Sequence, residues 1–152
     1  MCQIRSIDLR NEAVLRYLEA ERVAPPGTNA AWVIDGYSLA THPDLCDRIA
    51  EVDAAAGNAA ELRYLYGKLA LVAPNGVIVA FGGGTYVLAI RLPRNEVDPG
   101  LLGEIHGDAP RLEALTARGW TLVDAWTVDL LRDEGLGRLA ALIVRAVENA
   151  AT

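Results

Sequence analysis

The stretch KLALVAPNGVIVAFGGGTYVLAIRL, residues 68–92, decides the fold. Its apolar residues come in short runs separated by turn-forming residues, which is the pattern of strands and not of helices. Three strands are expected, at 69–73, 77–81 and 85–92. Asn75-Gly76 between two apolar runs is a hairpin signal because both residue types tolerate positive φ. Gly82-Gly83-Gly84 supplies a second reversal. Tyr86, Leu88, Ile90 and Leu92 alternate with Thr85, Val87, Ala89 and Arg91, giving the third strand two distinct faces. The first two strands are apolar on both faces, so they are expected to be central, or covered on both sides by helices or by a partner.

Working outward, residues 8–22 read as a helix capped by Asp8, with Val14, Tyr17 and Leu18 on one stripe. Pro25-Pro26-Gly27 stops it. Trp32-Val33-Ile34 and Asp35-Gly36 suggest a small hairpin. Thr41-His42-Pro43-Asp44 reads as the start of a helix reaching Ala56, with the Thr41 hydroxyl as cap acceptor. Leu45, Ile49, Val52 and Ala56 form its buried stripe, Glu51 and Asp53 its solvated side, and Gly57 its terminator. After a looped region, Asp108 caps a helix at 109–118 that ends at Gly119. Residues 120–126 then alternate strictly as a fourth strand, with Trp120 and Trp126 on one face. A helix at 133–150 closes the chain, with Leu136, Ala140, Ile143, Val147 and Ala150 on one face.

The fold class is therefore α+β: an antiparallel sheet with a three-strand meander plus a later strand, and helices packed on one face. The chain is expected to be a single domain, 1–152, in which 1–41 could be an N-terminal helical addition to a 42–152 core. Its 152 residues suffice to bury a core without covalent staples. A composition of 52% hydrophobic and 22% charged residues is globular. The two cysteines, Cys2 and Cys46, belong to no zinc or redox spacing. Without an apolar leader or membrane-length run, the expected location is cytoplasmic and no membrane partner is expected.

Charge and motifs restrict the chemistry. A net charge of −6 works against general attraction to phosphate backbones. Lys68 is the only lysine, so the basic complement is otherwise arginine, suited to specific carboxylate or phosphate contacts. Gly67-Lys68 lacks the flanking residues of a phosphate cradle, and Gly82-Gly83-Gly84 precedes a strand where a dinucleotide fingerprint must open a helix. Ser6 and Ser38 stand in no nucleophile elbow. His42, Asp44 and Cys46 cluster in sequence without metal-ligand spacing. No catalytic residue, cofactor or metal ligand is expected.

Gly67-Lys68 entering the strand region, Arg91-Leu92-Pro93 closing a strand, and Arg118-Gly119-Trp120-Thr121-Leu122-Val123 leading towards the last helix carry a family resemblance. Over about residues 61–150 the chain resembles the MmcQ/YjbR family and is more distantly similar to the N-terminal domain of TfoX-like proteins. The resemblance implies a secretion-chaperone-like α+β fold without catalytic residues. It also implies a DNA-binding role, or for TfoX-like proteins a link to competence regulation. Two features depart from the pattern: the chain is acidic, and residues 1–41 have no counterpart.

Three functional readings follow. The first is a non-catalytic binding or interaction module forming a homodimer, from the absence of catalytic motifs and the two-sided apolar strands. The second is a nucleic-acid-binding regulator, with Arg91, Arg94, Arg111 and Arg118 forming a local basic edge. The third is a small-ligand protein or enzyme with a pocket near Trp120, Trp126 and His106. The candidate ligand or partner surface thus comprises Arg91, Arg94, His106, Arg111, Arg118, Trp120 and Trp126.

Overall fold

The strands that read as apolar on both faces form the middle of the molecule, and helices cover them on both sides. The computed structural model describes residues 9–20, 41, 43–83, 87–97, 99–102, 115, 118–126 and 134–151. Among these, five strands form one antiparallel sheet in the order β1 (Glu61–Leu65), β2 (Lys68–Val72), β3 (Ile78–Gly83), β4 (Val87–Ile90) and β5 (Thr121–Asp124). Each strand pairs with its sequence neighbour, so the sheet is a meander with a long excursion before β5. The helices are α1 (Leu9–Ala20), α2 (Pro43–Ala55) and α3 (Glu134–Ala150), with short 3-10 turns at Arg94–Glu96 and Pro99–Leu101.

Strand alternation divides the core in two. Leu69, Leu71, Leu88, Ile90 and Val123 pack with Leu45, Ile49 and Val52 of α2 and Leu139, Ile143 and Ala146 of α3. Ala70, Val72, Ile78, Phe81, Val87 and Ala89 pack on the opposite face with Val14, Tyr17 and Leu18 of α1, together with Leu115 and Trp120. The expected α+β class and antiparallel meander are present, but the helices are on both faces and not on one. The reason is the composition of β2 and β3, whose residues are all buried. A fully buried Leu, Val or Phe side chain gains about 1.5–3 kcal/mol over an exposed one, so α1 has a second apolar surface to cover.

Local signals explain the ends of these elements. Gly57, at φ +74°, lets the Asn58 N–H reach back to the Asp53 carbonyl at 2.8 Å, and its own N–H bonds the Ala54 carbonyl at 3.0 Å. This pair of bonds satisfies carbonyls that the end of α2 would otherwise leave open. Gly119, at φ +89°, places the Trp120 N–H 3.2 Å from the Leu115 carbonyl in the same kind of closure. Leu115 is helical and Gly119 terminates it; the rest of the helix expected at 109–118 lies outside the described residues, as does the hairpin expected near Trp32.

The hairpin expected at Asn75-Gly76 is present between β2 and β3, and the turn details differ from the sequence reading. At Pro74-Asn75-Gly76 only Gly76 has positive φ, and the loop spans three residues, with the Ala73 N–H donating to the Val77 carbonyl. The Asn75 side chain instead accepts from the Val77 N–H and donates to the Ala150 carbonyl at the end of α3. Pairing Val72 with Ile78 and Leu71 with Ala80 leaves Val79 as a bulged residue, which puts Val79 and Ala80 on the same core face. Gly82 and Gly83 belong to β3 and are not the turn; Gly84 lies outside the described residues. At Gly82 a Cβ would come 2.5 Å from Ile49 Cδ1, so glycine allows α2 to approach the sheet.

Thr41 does not cap α2. Its hydroxyl accepts the Leu69 N–H at 2.8 Å and donates to the Gly82 carbonyl at 2.7 Å. A side-chain oxygen therefore links β2 to β3 where a direct ladder bond would otherwise run. Asn11 serves α1 similarly: wholly buried, it donates to the Gly76 carbonyl at 2.9 Å and accepts the Ile78 N–H at 2.8 Å.

Candidate functional site

Of the residues expected to form the functional surface, five are described, and Arg91 and Trp120 among them are in contact with each other. Arg91 is half-buried and held by its own chain: its Nε donates to the Ile78 carbonyl at 2.7 Å, a terminal nitrogen donates to the Arg10 carbonyl, and the guanidinium lies 4.7 Å from the Trp120 ring centre. Trp120 is buried against Phe81, with ring centres 5.5 Å apart. These contacts tie β4 to α1 and to the segment entering β5, and they take Arg91 out of the expected basic edge. Arg94 and Arg118 are exposed. His106 and Arg111 lie outside the described residues.

Trp126 does not continue the face of Trp120. The strand ends at Asp124, whose carboxylate accepts the Trp126 N–H at 2.8 Å and shapes the turn that follows. There the indole meets α2, with the Arg48 guanidinium 5.5 Å from its centre. Arg48 is buried, donates to the Ala125 carbonyl at 2.8 Å and approaches Glu51 at 3.6 Å. The two indoles thus sit in separate surroundings, one inside the α1 face of the core and one beside α2.

Concave space is found elsewhere. An open groove of about 450 Å³ runs between α3 and the 3-10 turns, floored by Leu101 and Leu142. Arg145 and Glu96, 2.7 Å apart, form an ion pair at this groove. Among the described residues, a carboxyl and a thiol with displaced titrations are both on α2.

Asp53 is buried, contrary to its expected place on the wet side of α2; its carboxylate accepts the Ala60 N–H at 3.1 Å. Burial raises its pKa, with the Ala60 bond opposing. Cys46 donates to the Thr41 carbonyl at 3.7 Å and accepts the Tyr64 hydroxyl at 3.3 Å. Burial is the main cause holding the thiol above its ordinary pKa; the Tyr64 bond acts the other way, and Asp47 adds to the rise. The thiol therefore stays protonated near neutrality, where a nucleophile needs thiolate. The Tyr64 hydroxyl is pushed up to about 12, first by its bond to Cys46, then by desolvation and the charges of Cys46 and Asp47. Among the described residues no group of three His, Cys, Asp or Glu side chains could hold a metal ion.

The surface that sequence reasoning missed is β1. Its residues alternate between half-buried and exposed, and it is an edge of the sheet among the described residues. Leu62 and Tyr64 project on the α2 side, opposite Leu71 and Leu69 of β2. Leu62, Tyr64 and the adjoining Tyr66 are exposed at 39%, 60% and 39%. They make up three of the five exposed large hydrophobic residues among those described, the others being Leu9 and Trp126. The available signals were the alternation Glu61-Leu62-Arg63-Tyr64-Leu65 and the glycine of Tyr66-Gly67. Both turn residues have positive φ, 53° and 90°, as a tight two-residue hairpin demands.

Comparison with known proteins adds no relative: no family model matches the sequence, and neither a curated protein nor a solved structure is significantly similar. Among the described residues no helix is long and apolar enough to cross a membrane.

Proposed function

We propose that the chain is a non-catalytic interaction module that self-associates, with β1 as its contact surface. The observation that carries this reading is the concentration of exposed Leu62, Tyr64 and Tyr66 along one edge of a sheet whose neighbouring strand β2 is wholly buried. A strand edge offers backbone donors and acceptors to another strand, and adjoining apolar side chains add area that association removes from water. The alternative of a nucleic-acid-binding regulator has less support, because Arg91 is engaged by carbonyls of its own chain and by Trp120, and the net charge is −6. A small-ligand site between Trp120 and Trp126 has less again, since the two indoles contact different elements.

With this reading goes the proposal that residues 61–150 are MmcQ/YjbR-like. It is supported by where the matching residues fall: Gly67-Lys68 closes the β1–β2 hairpin and opens β2, and Gly119-Trp120 closes the turn that leads into β5.

Sedimentation velocity of the full chain tests self-association. Between about 1 μM and about 1 mM, a range spanning weak to moderate affinities, the sedimentation coefficient is expected to rise from monomer to dimer. A strict monomer throughout would remove the self-association reading.

A further inference from the structure

Resting on the self-association reading, we propose that two copies pair antiparallel through β1 in one register, the one that places Leu62 opposite the partner's Leu62. A two-fold axis perpendicular to the sheet keeps each face continuous between copies, so a residue can stand opposite only a residue of its own face. Leu62 and Tyr64 share the α2 face, while Glu61, Arg63 and Leu65 share the α1 face, where Leu65 packs on that half of the core.

The allowed registers differ in which residue meets its own copy. Centring on Glu61 opposes two glutamates, and centring on Arg63 opposes two arginines. Like charges directly opposite are destabilising. Centring on Tyr64 sets Arg63 against the partner's Leu65 and carries Glu61 beyond the partner's strand. Centring on Leu65 sets only Leu65 itself opposite the partner's β1. Centring on Leu62 sets Glu61 opposite the partner's Arg63 and Arg63 opposite the partner's Glu61. In the same register Leu62 meets its copy and Tyr64 lies diagonal to it, within reach of an aromatic side chain. This register therefore matches both charges and sets Leu62 on its copy, with Tyr64 beside it opposite the partner's Ala60.

Glu61 and Arg63 each have a contact within their own chain, so the cross-copy pairs would be additional contacts. Charges on an edge ordinarily discourage pairing with an arbitrary strand. Here the same charges admit one self-pairing and penalise its neighbours, which would make the edge selective for a second copy of the chain.

A cysteine scan tests the register. In a chain with Cys2 and Cys46 replaced by alanine, Glu61→Cys, Leu62→Cys, Arg63→Cys and Tyr64→Cys are made singly and mildly oxidised. Directly opposite residues have Cα atoms about 4.5–5.5 Å apart, within disulfide reach. Each residue of displacement from the centre separates a self-pair by a further two residues, roughly 7 Å along the strand. Leu62→Cys is expected to form covalent dimers at least about tenfold faster than the other three. A maximum at another position overturns the register.

The charge pair gives an independent reading. Glu61→Arg alone and Arg63→Glu alone should sediment as monomers where the wild-type chain is dimeric. Their equimolar mixture should recover the dimer, because every opposed pair is then complementary. If the wild-type chain dimerises but no position on β1 cross-links and both variants remain dimeric, the β1 pairing is wrong while self-association stands. If the wild-type chain is a strict monomer, both readings fall. A charge variant that does not fold leaves the cysteine scan to decide.

Discussion

Leu62 and Leu71 are the same residue type, directly opposite each other on neighbouring strands and on the same face of the sheet. Leu71 is fully buried and Leu62 is 39% exposed. The difference lies in what stands beyond each strand. Beyond β2 is β3, with α2 and α3 covering the adjoining core face; beyond β1 no further strand is described. A leucine in the middle of the sheet is thus fixed by folding, whereas a leucine at the edge has part of its apolar surface left for another molecule. The sheet's interior is a scaffold, and β1 at its margin keeps apolar side chains in water.

Truncation should separate the two roles. Leu71→Ala is expected to cost about 2–5 kcal/mol of stability in urea unfolding, the usual loss when a buried leucine leaves a cavity. Leu62→Ala, compared at concentrations where the chain is monomeric, should cost no more than about 1 kcal/mol because much of its surface is already in water. The same change should weaken dimerisation. Equal losses of monomer stability at the two positions would break the comparison.

Thr41→Val tests how the scaffold is tied together. It preserves shape but removes the hydroxyl between the Leu69 N–H and the Gly82 carbonyl. Leaving these buried groups without their partner should cost about 1–3 kcal/mol, measured by thermal or urea unfolding. A neutral effect would show that β2 and β3 close directly without the hydroxyl.

The third expected effect is smaller and depends on pH. Asp53 has a folded-state pKa raised above its ordinary value of 3.8, chiefly by burial. The folded chain therefore holds this proton more tightly than the unfolded one, and stability falls as pH rises from the unfolded pKa through the folded one. Asp53→Asn keeps an oxygen for the Ala60 N–H and removes the charge. Its stability at pH 7 is expected to equal or exceed that of the wild-type chain, with a flatter profile just above pH ~4, near the ordinary aspartate pKa. A loss at pH 7 together with an unchanged profile would contradict the buried-carboxylate account.

The meander was legible wherever burial is two-sided, since β2 and β3 carry unbroken apolar runs, and the α2 stripe of Leu45, Ile49 and Val52 followed from helical periodicity. β1 was less legible because its five residues mix two charges with three apolar side chains and its turn puts Tyr66, a residue seldom chosen for the role, at positive φ. Thr41, Asn11 and Arg91 read locally as a cap, a helix residue and a strand-end charge. Their work is done at carbonyls and amides remote in sequence, which periodicity does not reveal. Gly82 was misplaced in a turn for the same reason: what requires it is Ile49 on a different element. Arg91 and Trp120, expected on a ligand or partner surface, meet each other, and Trp120 packs on Phe81, because aromatic and guanidinium groups serve cores as readily as they serve partners.

The central claim is that β1 is a pairing edge. Its most direct measurement is backbone hydrogen exchange followed residue by residue across protein concentration. Amides of β1 that point away from β2 should become protected as concentration rises through the dimerisation midpoint, while amides inside β2 and β3 stay equally protected throughout. Exchange in β1 that is independent of concentration while the chain demonstrably dimerises, with new protection on another surface, would contradict it.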